Sequence, residues 1–280
     1  MTNLEFINLL EKKLEKSNNN PLVAKWIFCF VNKFSELDLI EKYSDIAKNK
    51  RLCFKLINQY INGKPLARIL KAINFYGYNF KVLNHVFSPR LETELLVDKI
   101  KNMISSIENK LNILDMCCGT GVIGISLQLS FNNKHDLTLI DVSKKAVKNT
   151  NINLKRLQCL GEVYKSDLFH NFGLNKKFNV VVFNPPYIGC NEIIGKNVSK
   201  YDPYNALFAI ENGLLIYKNF LKSLKNFLDP NFYILGFEIG HNQSKIVNNL
   251  IQEFDNELEI EIIEDYNKLK RFIIARKVNV

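Results

Sequence analysis

Apolar positions along the chain change their spacing near residue 74. Before it they recur every three to four residues. Leu4, Ile7, Leu10 and Leu14 predict one amphipathic helix. A second helix begins at Pro21-Leu22-Val23, with Trp26, Phe30 and Phe34 as its expected buried stripe. Ser35 to Asp38 opens a third, and Arg51 to Ile61 forms a fourth that Asn62-Gly63 stops. From Asn74 the texture is aromatic and alternating, so Phe75 to Val82 reads as a strand or hairpin. Helical spacing returns from Thr93 to about Ile107, with Thr93 as a candidate cap.

Beyond Leu111 short apolar runs alternate with helical stretches, which predicts a parallel sheet covered by helices. The expected strands are Leu111–Met116, Leu137–Ile140, Val163-Tyr164, Phe178–Phe183, Phe232–Phe237, Glu259–Ile263 and Arg271–Ala275. The expected helices are Val122–Leu129, Ser143–Leu157, Leu214–Phe227 and Gln243–Phe254. The last two strands follow one another closely and read as an antiparallel hairpin. The expected organisation is a helical domain over 1–73, a hairpin linker over 74–92 and an α/β domain with a seven-stranded sheet over 93–280.

One stretch carries the most chemistry. Val180 to Phe183 is a β-branched run suited to a strand buried on both faces. Asn184-Pro185-Pro186-Tyr187 ends it, because proline cannot donate to a strand ladder. Asn184 thereby stands at the carboxyl edge of the sheet, where open α/β folds bind ligands. A planar amino group needs acceptors to orient it. The Asn184 carboxamide oxygen and the Pro185 carbonyl are two, and the Tyr187 ring suits a flat substrate. An ordinary turn accounts for Asn-Pro alone, and a core aromatic accounts for Tyr187 alone.

A second constellation leaves the first strand. Asp115, Cys117, Cys118, Gly119, Thr120 and Gly121 form a turn entering a helix, where glycine lets a ligand approach the backbone. Asp141 closes the second strand, and a carboxylate there can accept ribose hydroxyls. Gly119-x-Gly121-x-x-Gly124 also satisfies the dinucleotide fingerprint. Asp115 would repel a pyrophosphate, however, and would suit a cation. S-adenosylmethionine carries a sulfonium and an ammonium and no phosphate, so it is the preferred cofactor.

The chain has 280 residues, of which 47% are apolar, and no run approaches the roughly 20 apolar residues of a membrane span. The amphipathic start lacks the pattern of a secretory signal, so a cytoplasmic protein is expected. Of the six cysteines four are scattered and Cys117-Cys118 are adjacent, the four histidines are scattered, and none has ligand spacing, so no metal is expected. A formal charge of +10 allows an acidic partner, but the lysines form no block.

Asp115 to Gly121, Asp141, Ser166-Asp167-Leu168-Phe169 and Asn184 to Tyr187 together resemble the Rossmann-like S-adenosylmethionine-dependent methyltransferases. Gly63 to Ala67, Phe75 to Gly77, Pro89 to Val97 and Phe237-Glu238-Ile239-Gly240 with Gln243 resemble the release factor glutamine methyltransferases more narrowly. The resemblance covers about residues 60–280. It implies methylation of the glutamine nitrogen in the Gly-Gly-Gln motif of peptide chain release factors. It further implies that residues 117–121, Asp141, Asp167, Leu168 and Asn184 contact the cofactor, and that Asn184, Pro185, Pro186 and Tyr187 hold the glutamine. Arg90, Thr93 and Glu94 would edge a lid. The chain departs from the family at Cys117 and Cys118, where glycine and threonine are usual. Leu91 and Asp202 depart too, standing for a common proline and glutamate, as does Leu168 where an aromatic is frequent. A monomer with no nucleic-acid substrate is expected. The competing readings are a DNA or RNA adenine methyltransferase, which shares the tetrapeptide, a cofactor-binding protein without turnover, and a nicotinamide-dependent enzyme.

Overall fold

The computed structural model describes residues 1–170, 172, 176–190, 192 and 200–278. It divides into two compact units, the first built from residues 1–72 together with 200–201 and the second from the other described residues, beginning at Ile73. The first unit is helical: α1 (Asn3–Glu15), α2 (Val23–Asn32), α3 (Glu36–Glu41), α4 (Lys50–Ile61) and α5 (Leu66–Leu70). Thr2 and Ser35 each close a capping box, accepting from the residue three on while that residue's carboxylate reaches back. Phe6, Leu10, Leu14, Ile27, Phe28, Cys53 and Ile57 form the core.

The stripe expected on α2 is not its buried face. Trp26 and Phe30 are 37% and 43% exposed, and the buried face is Val23, Ala24, Ile27, Phe28 and Cys29. The sequence of α2 is apolar almost all round, so periodicity alone does not choose a face. Close helix packing takes the faces with small Ala24 and Cys29.

The second unit starts with a hairpin, β1 (Ala72–Phe75) and β2 (Tyr78–Lys81). Tyr76 and Gly77 turn it with φ of 51° and 79°, as a two-residue turn that matches strand twist requires. A short 3-10 turn over Leu91–Thr93 leads into α6 (Glu94–Ile104). Then come β3 (Asn112–Met116), α7 (Val122–Ser130), β4 (Asp136–Asp141), α8 (Lys144–Arg156), β5 (Glu162–Lys165) and β6 (Val180–Phe183). Two short strands, β7 (Ile188–Gly189) and β8 (Phe208–Ala209), pair with each other. The chain ends through α9 (Leu215–Leu224), β9 (Phe232–Glu238), α10 (Ser244–Phe254), β10 (Glu259–Glu264) and β11 (Lys270–Val278).

The main sheet has seven strands in the order β10-β11-β9-β6-β3-β4-β5. Five are parallel, and β11 joins them antiparallel to β9 with β10 outside it. This is a Rossmann-like α/β sheet with the expected antiparallel finish. Both faces are buried, as the unbroken Val180–Phe183 run requires. One core gathers Ile113, Val180, Val182 and Ile234 with Leu96, Ile100, Ile123 and Ile125. The other gathers Leu114, Val181, Phe183 and Leu235 with Tyr217, Phe220, Val247 and Ile251.

Two asparagines of α8, both fully buried, fasten the hairpin to this sheet domain. Asn153 accepts from Lys81 N (2.8 Å) and donates to Lys81 O (3.0 Å) and Thr120 O (2.8 Å). Asn149 accepts from Leu83 N (2.7 Å) and donates to Lys81 O (2.8 Å).

Candidate functional site

Strand register brings the candidate residues into one row. Met116 is level with Ile140 on one side and with Phe183 on the other, and Phe183 is level with Phe237. The next residues along these four strands are Asp141, Cys117, Asn184 and Glu238. They therefore stand abreast at the carboxyl edge of the sheet, where a crossover between β3 and its neighbours leaves a crevice. Asp167 and Leu168 follow the end of β5, the strand beside Asp141.

The turn after β3 departs from helix and strand geometry. Cys117, Gly119 and Gly121 have φ of 61°, 58° and 81°. Gly121 is required twice over. A Cβ there would lie 2.8 Å from both Ile125 Cδ1 and Thr150 Cγ2. Gly119 faces open space, with no atom within 4 Å of where a Cβ would stand. Cys117 occupies a left-handed position that glycine fills without strain, which accounts for glycine being usual there in the family it resembles. Cys118 is buried and lies 3.5 Å from the Thr150 hydroxyl, which in turn donates to Gly119 O. Thr120 is buried, and its carbonyl is held by Asn153.

Three carboxylates meet at this turn. Asp115 is 1% exposed and sits behind it, accepting from Gly124 N (2.9 Å) at the start of α7. Its second oxygen, Oδ1, is buried without a hydrogen-bond partner. Burial pushes the Asp115 carboxyl up to about 7 against the pull of that N–H, and Asp141 adds to the rise. Asp141 accepts from Gly119 N (2.9 Å) and Ser143 N (2.8 Å), and burial raises it too. Exposed Asp167 completes the set. Burial first, then the charges of Asp141, Asp115 and Asp167, keep the Cys117 thiol protonated. Among the described residues no lysine or arginine pairs with any of the three. An orphaned carboxylate oxygen, an open glycine face and unpaired negative charge suit a ligand with cationic centres. They oppose a pyrophosphate.

Across the row, Asn184 is partly exposed. Its Nδ2 donates to Glu238 Oε2 (2.9 Å). Its Oδ1 and the Pro185 carbonyl receive no hydrogen bond among the described residues. Glu238 is 3% exposed and also accepts from Thr93 Oγ1 (2.7 Å) and Tyr187 OH (3.2 Å). Burial raises its carboxyl, and the Thr93 hydroxyl and then the Arg271 guanidinium pull it back. Arg271 stands 5.7 Å from the Tyr187 ring centroid. Pro185 is buried and Pro186 partly so.

Thr93 is thus not a helix cap, since its side chain makes no capping bond. Its hydroxyl reaches a carboxylate 145 residues further on instead. Of its neighbours, Glu94 accepts from Tyr76 N (2.7 Å), and Arg90 pairs with Asp202 (2.9 Å).

Three residues of this region were missed as site residues by sequence reasoning. Glu238 was visible as an acid ending an apolar strand. Gln243 donates to Tyr187 O (2.7 Å) and Asn212 O (2.8 Å) while accepting from Gly240 N (2.9 Å), so it ties down the exit of the tetrapeptide. Gly213, with φ of 79°, backs against the Tyr187 carbonyl. Gln243 was visible as part of the family-like motif that follows Phe237, but not in this role, and Gly213 carries no local signal.

Known proteins agree with this architecture. The family described as "Methyltransferase small domain" matches residues 77–199. A release factor glutamine methyltransferase of Fusobacterium nucleatum is 34% identical, over 98% of this chain and 79% of its own. One of Bacillus cereus is 30% identical over 94% of each. Among solved structures, a 16S rRNA methyltransferase of T. thermophilus in complex with AdoMet and guanosine superposes with a TM-score of 0.53. It is 14% identical, over 74% of this chain and 49% of its own, and shares the fold.

Proposed function

The chain belongs to the release factor glutamine methyltransferase family, and from that premise we propose that Asn184 to Tyr187 hold the glutamine side chain while residues 117–121 hold the cofactor. The reaction is transfer of a methyl group from S-adenosylmethionine to the amide nitrogen of a glutamine in a peptide chain release factor. Bound in the crevice, S-adenosylmethionine supplies an electrophilic methyl carbon on a sulfonium. Backbone groups of Cys117 to Gly121, the Asp141 carboxylate, Asp167 and Leu168 would hold it. Asp115 supports the turn from behind, and with its carboxyl raised to about 7 it carries only part of a negative charge near neutral pH.

One observation carries the substrate reading. Among the described residues, Asn184 Oδ1 and the Pro185 carbonyl are acceptors without a donor at the edge of β6. An amide nitrogen is a weak nucleophile because its lone pair is delocalised into the carbonyl. Two acceptors on its two hydrogens orient the nitrogen and favour the positive charge that develops there. Fixing the amide also removes much of the entropy of encounter. No general base is needed, since the acidic product nitrogen can release its proton to water.

Further parts of the reading are a monomer in the cytoplasm, with residues 1–73 meeting the protein substrate, 74–92 linking and 93–280 carrying the reaction. Arg90, Thr93 and Glu94 would edge the site. No helix among the described residues is long and apolar enough to cross a membrane. The decisive experiment is mass spectrometry of a release factor incubated with the protein and S-adenosylmethionine, beside an adenine-containing DNA control. One methyl group on the glutamine of Gly-Gly-Gln is expected. Methylated DNA with unmodified release factor would overturn the assignment.

A further inference from the structure

We propose that Glu238 is a positioning residue for methyl transfer, fixing which end of the Asn184 carboxamide faces the substrate; this rests on the reading of Asn184 given above. The two ends of a carboxamide have nearly the same shape and opposite hydrogen-bonding sense. With oxygen outward, Asn184 accepts from the substrate amide. Turned by half a rotation it would set its own NH2 against the substrate NH2, donor against donor. Nothing in Asn184 itself chooses between the two.

Glu238 makes the choice. An ionised carboxylate only accepts, so it can hold the NH2 end alone, and a charged acceptor makes that bond strong. Glu238 cannot turn away to suit the other rotamer. Thr93 and Asn184 both donate to Oε2, and Tyr187 donates to Oε1. Its backbone is fixed as well, because its carbonyl accepts from the buried Tyr217 hydroxyl at 2.6 Å and its Cα is in register with Phe272 of β11. Burial raises its carboxyl, and the Thr93 hydroxyl, Arg271, the Tyr187 hydroxyl and Arg90 oppose that rise, in that order. The convergence of three donors on its two oxygens is what makes it an acceptor.

The test is a double-mutant cycle of Glu238→Gln and Asn184→Ala, with methylation of a release factor as the assay. Glutamine has the same shape but offers an NH2, so Asn184 is free to turn its oxygen inward. Glu238→Gln is expected to lower kcat by roughly 100-fold, the effect of losing one preorganised partner. KM and S-adenosylmethionine affinity, read by calorimetry, should stay near wild type. In the Asn184→Ala background the same substitution should change kcat by less than about twofold, since coupled residues are non-additive. Near-normal kcat in Glu238→Gln, or losses that multiply in full, would overturn the proposal. NMR of the wild-type protein tests the orientation even if Glu238→Gln fails to fold. The Asn184 side-chain NH2, assigned by its loss in Asn184→Ala, should exchange slowly with water; rapid exchange also overturns it. A wild-type protein that methylates no release factor would instead sink the functional assignment, and the NMR result would still judge the orientation.

Discussion

Gly213→Ala is the sharpest probe of how the tetrapeptide is held. Gly213 has φ of 79°, a conformation that costs a residue with a Cβ about 1–2 kcal/mol. A reduced unfolded-state entropy returns about 0.4–1 kcal/mol. The larger effect is steric. The added Cβ would lie 2.5 Å from the Tyr187 carbonyl carbon and 2.8 Å from Gln243 Nε2, and closer still to the carbonyl oxygen. Backbone on one side and a side chain with three hydrogen bonds on the other leave little room to yield. Overpacking of this kind costs about 1–3 kcal/mol. The sum is about 1–5 kcal/mol, or a Tm lower by about 3–15 °C for a unit of this size. Far-UV circular dichroism is the suitable readout, since Trp26, the only tryptophan, lies in the helical unit. Displacing Tyr187 also moves the loop behind Asn184, and a shift near 1 Å can cost about 100-fold in rate. A variant with unchanged Tm and unchanged kcat would show that Gly213 does not brace this loop.

Other expectations can be checked in parallel. Asn184→Ala should reduce kcat by about 100- to 1,000-fold while S-adenosylmethionine affinity, measured by calorimetry, changes little. Asp115 is raised to about 7 in the folded protein from an ordinary value near 3.9, so the native state holds an extra proton between those values. Its contribution to stability is full below about pH 4 and is lost as pH rises through about 7. Denaturant titrations of the cofactor-free protein should therefore show Asp115→Asn gaining on the parent as pH rises from 4 to 8; parallel curves would contradict this. Asn153→Ala removes the side-chain partner of Lys81 N and of Thr120 O, while Lys81 O keeps Asn149, and should cost about 2–4 kcal/mol in urea unfolding. Gly121→Ala, at φ of 81° and crowded by Ile125 and Thr150, should weaken both stability and cofactor binding by calorimetry.

Much of the sheet was legible because its strands are unbroken apolar runs of the length a two-faced burial demands. Val180–Phe183 announces itself, and the prolines after it mark the edge where Asn184 stands. Alternation of strands and helices was enough for the parallel order, and the two closely spaced runs after residue 258 for the antiparallel finish. The α2 helix was read on the wrong face because Trp26 and Phe30 share it with residues as apolar on the opposite side. Thr93 looked like a cap because caps are local, whereas its real partner is 145 residues away. For the same reason Glu238 could be seen as part of a motif but not as the meeting point of three donors. Polar contacts between strand ends depend on register, and register is set by the whole sheet.

The two buried asparagines of α8 bear on how the protein can be cut. A fragment beginning at residue 93 would strip the main-chain partners Lys81 and Leu83 from Asn149 and Asn153, and would delete Phe75 and Phe80 from an otherwise closed interior. Water would enter beside the Thr120 carbonyl, one residue from the glycine that lets the adjoining turn form. An autonomous sheet domain must therefore retain the chain from Ile73 onward, and a shorter one should behave as an expanded, ligand-poor remnant.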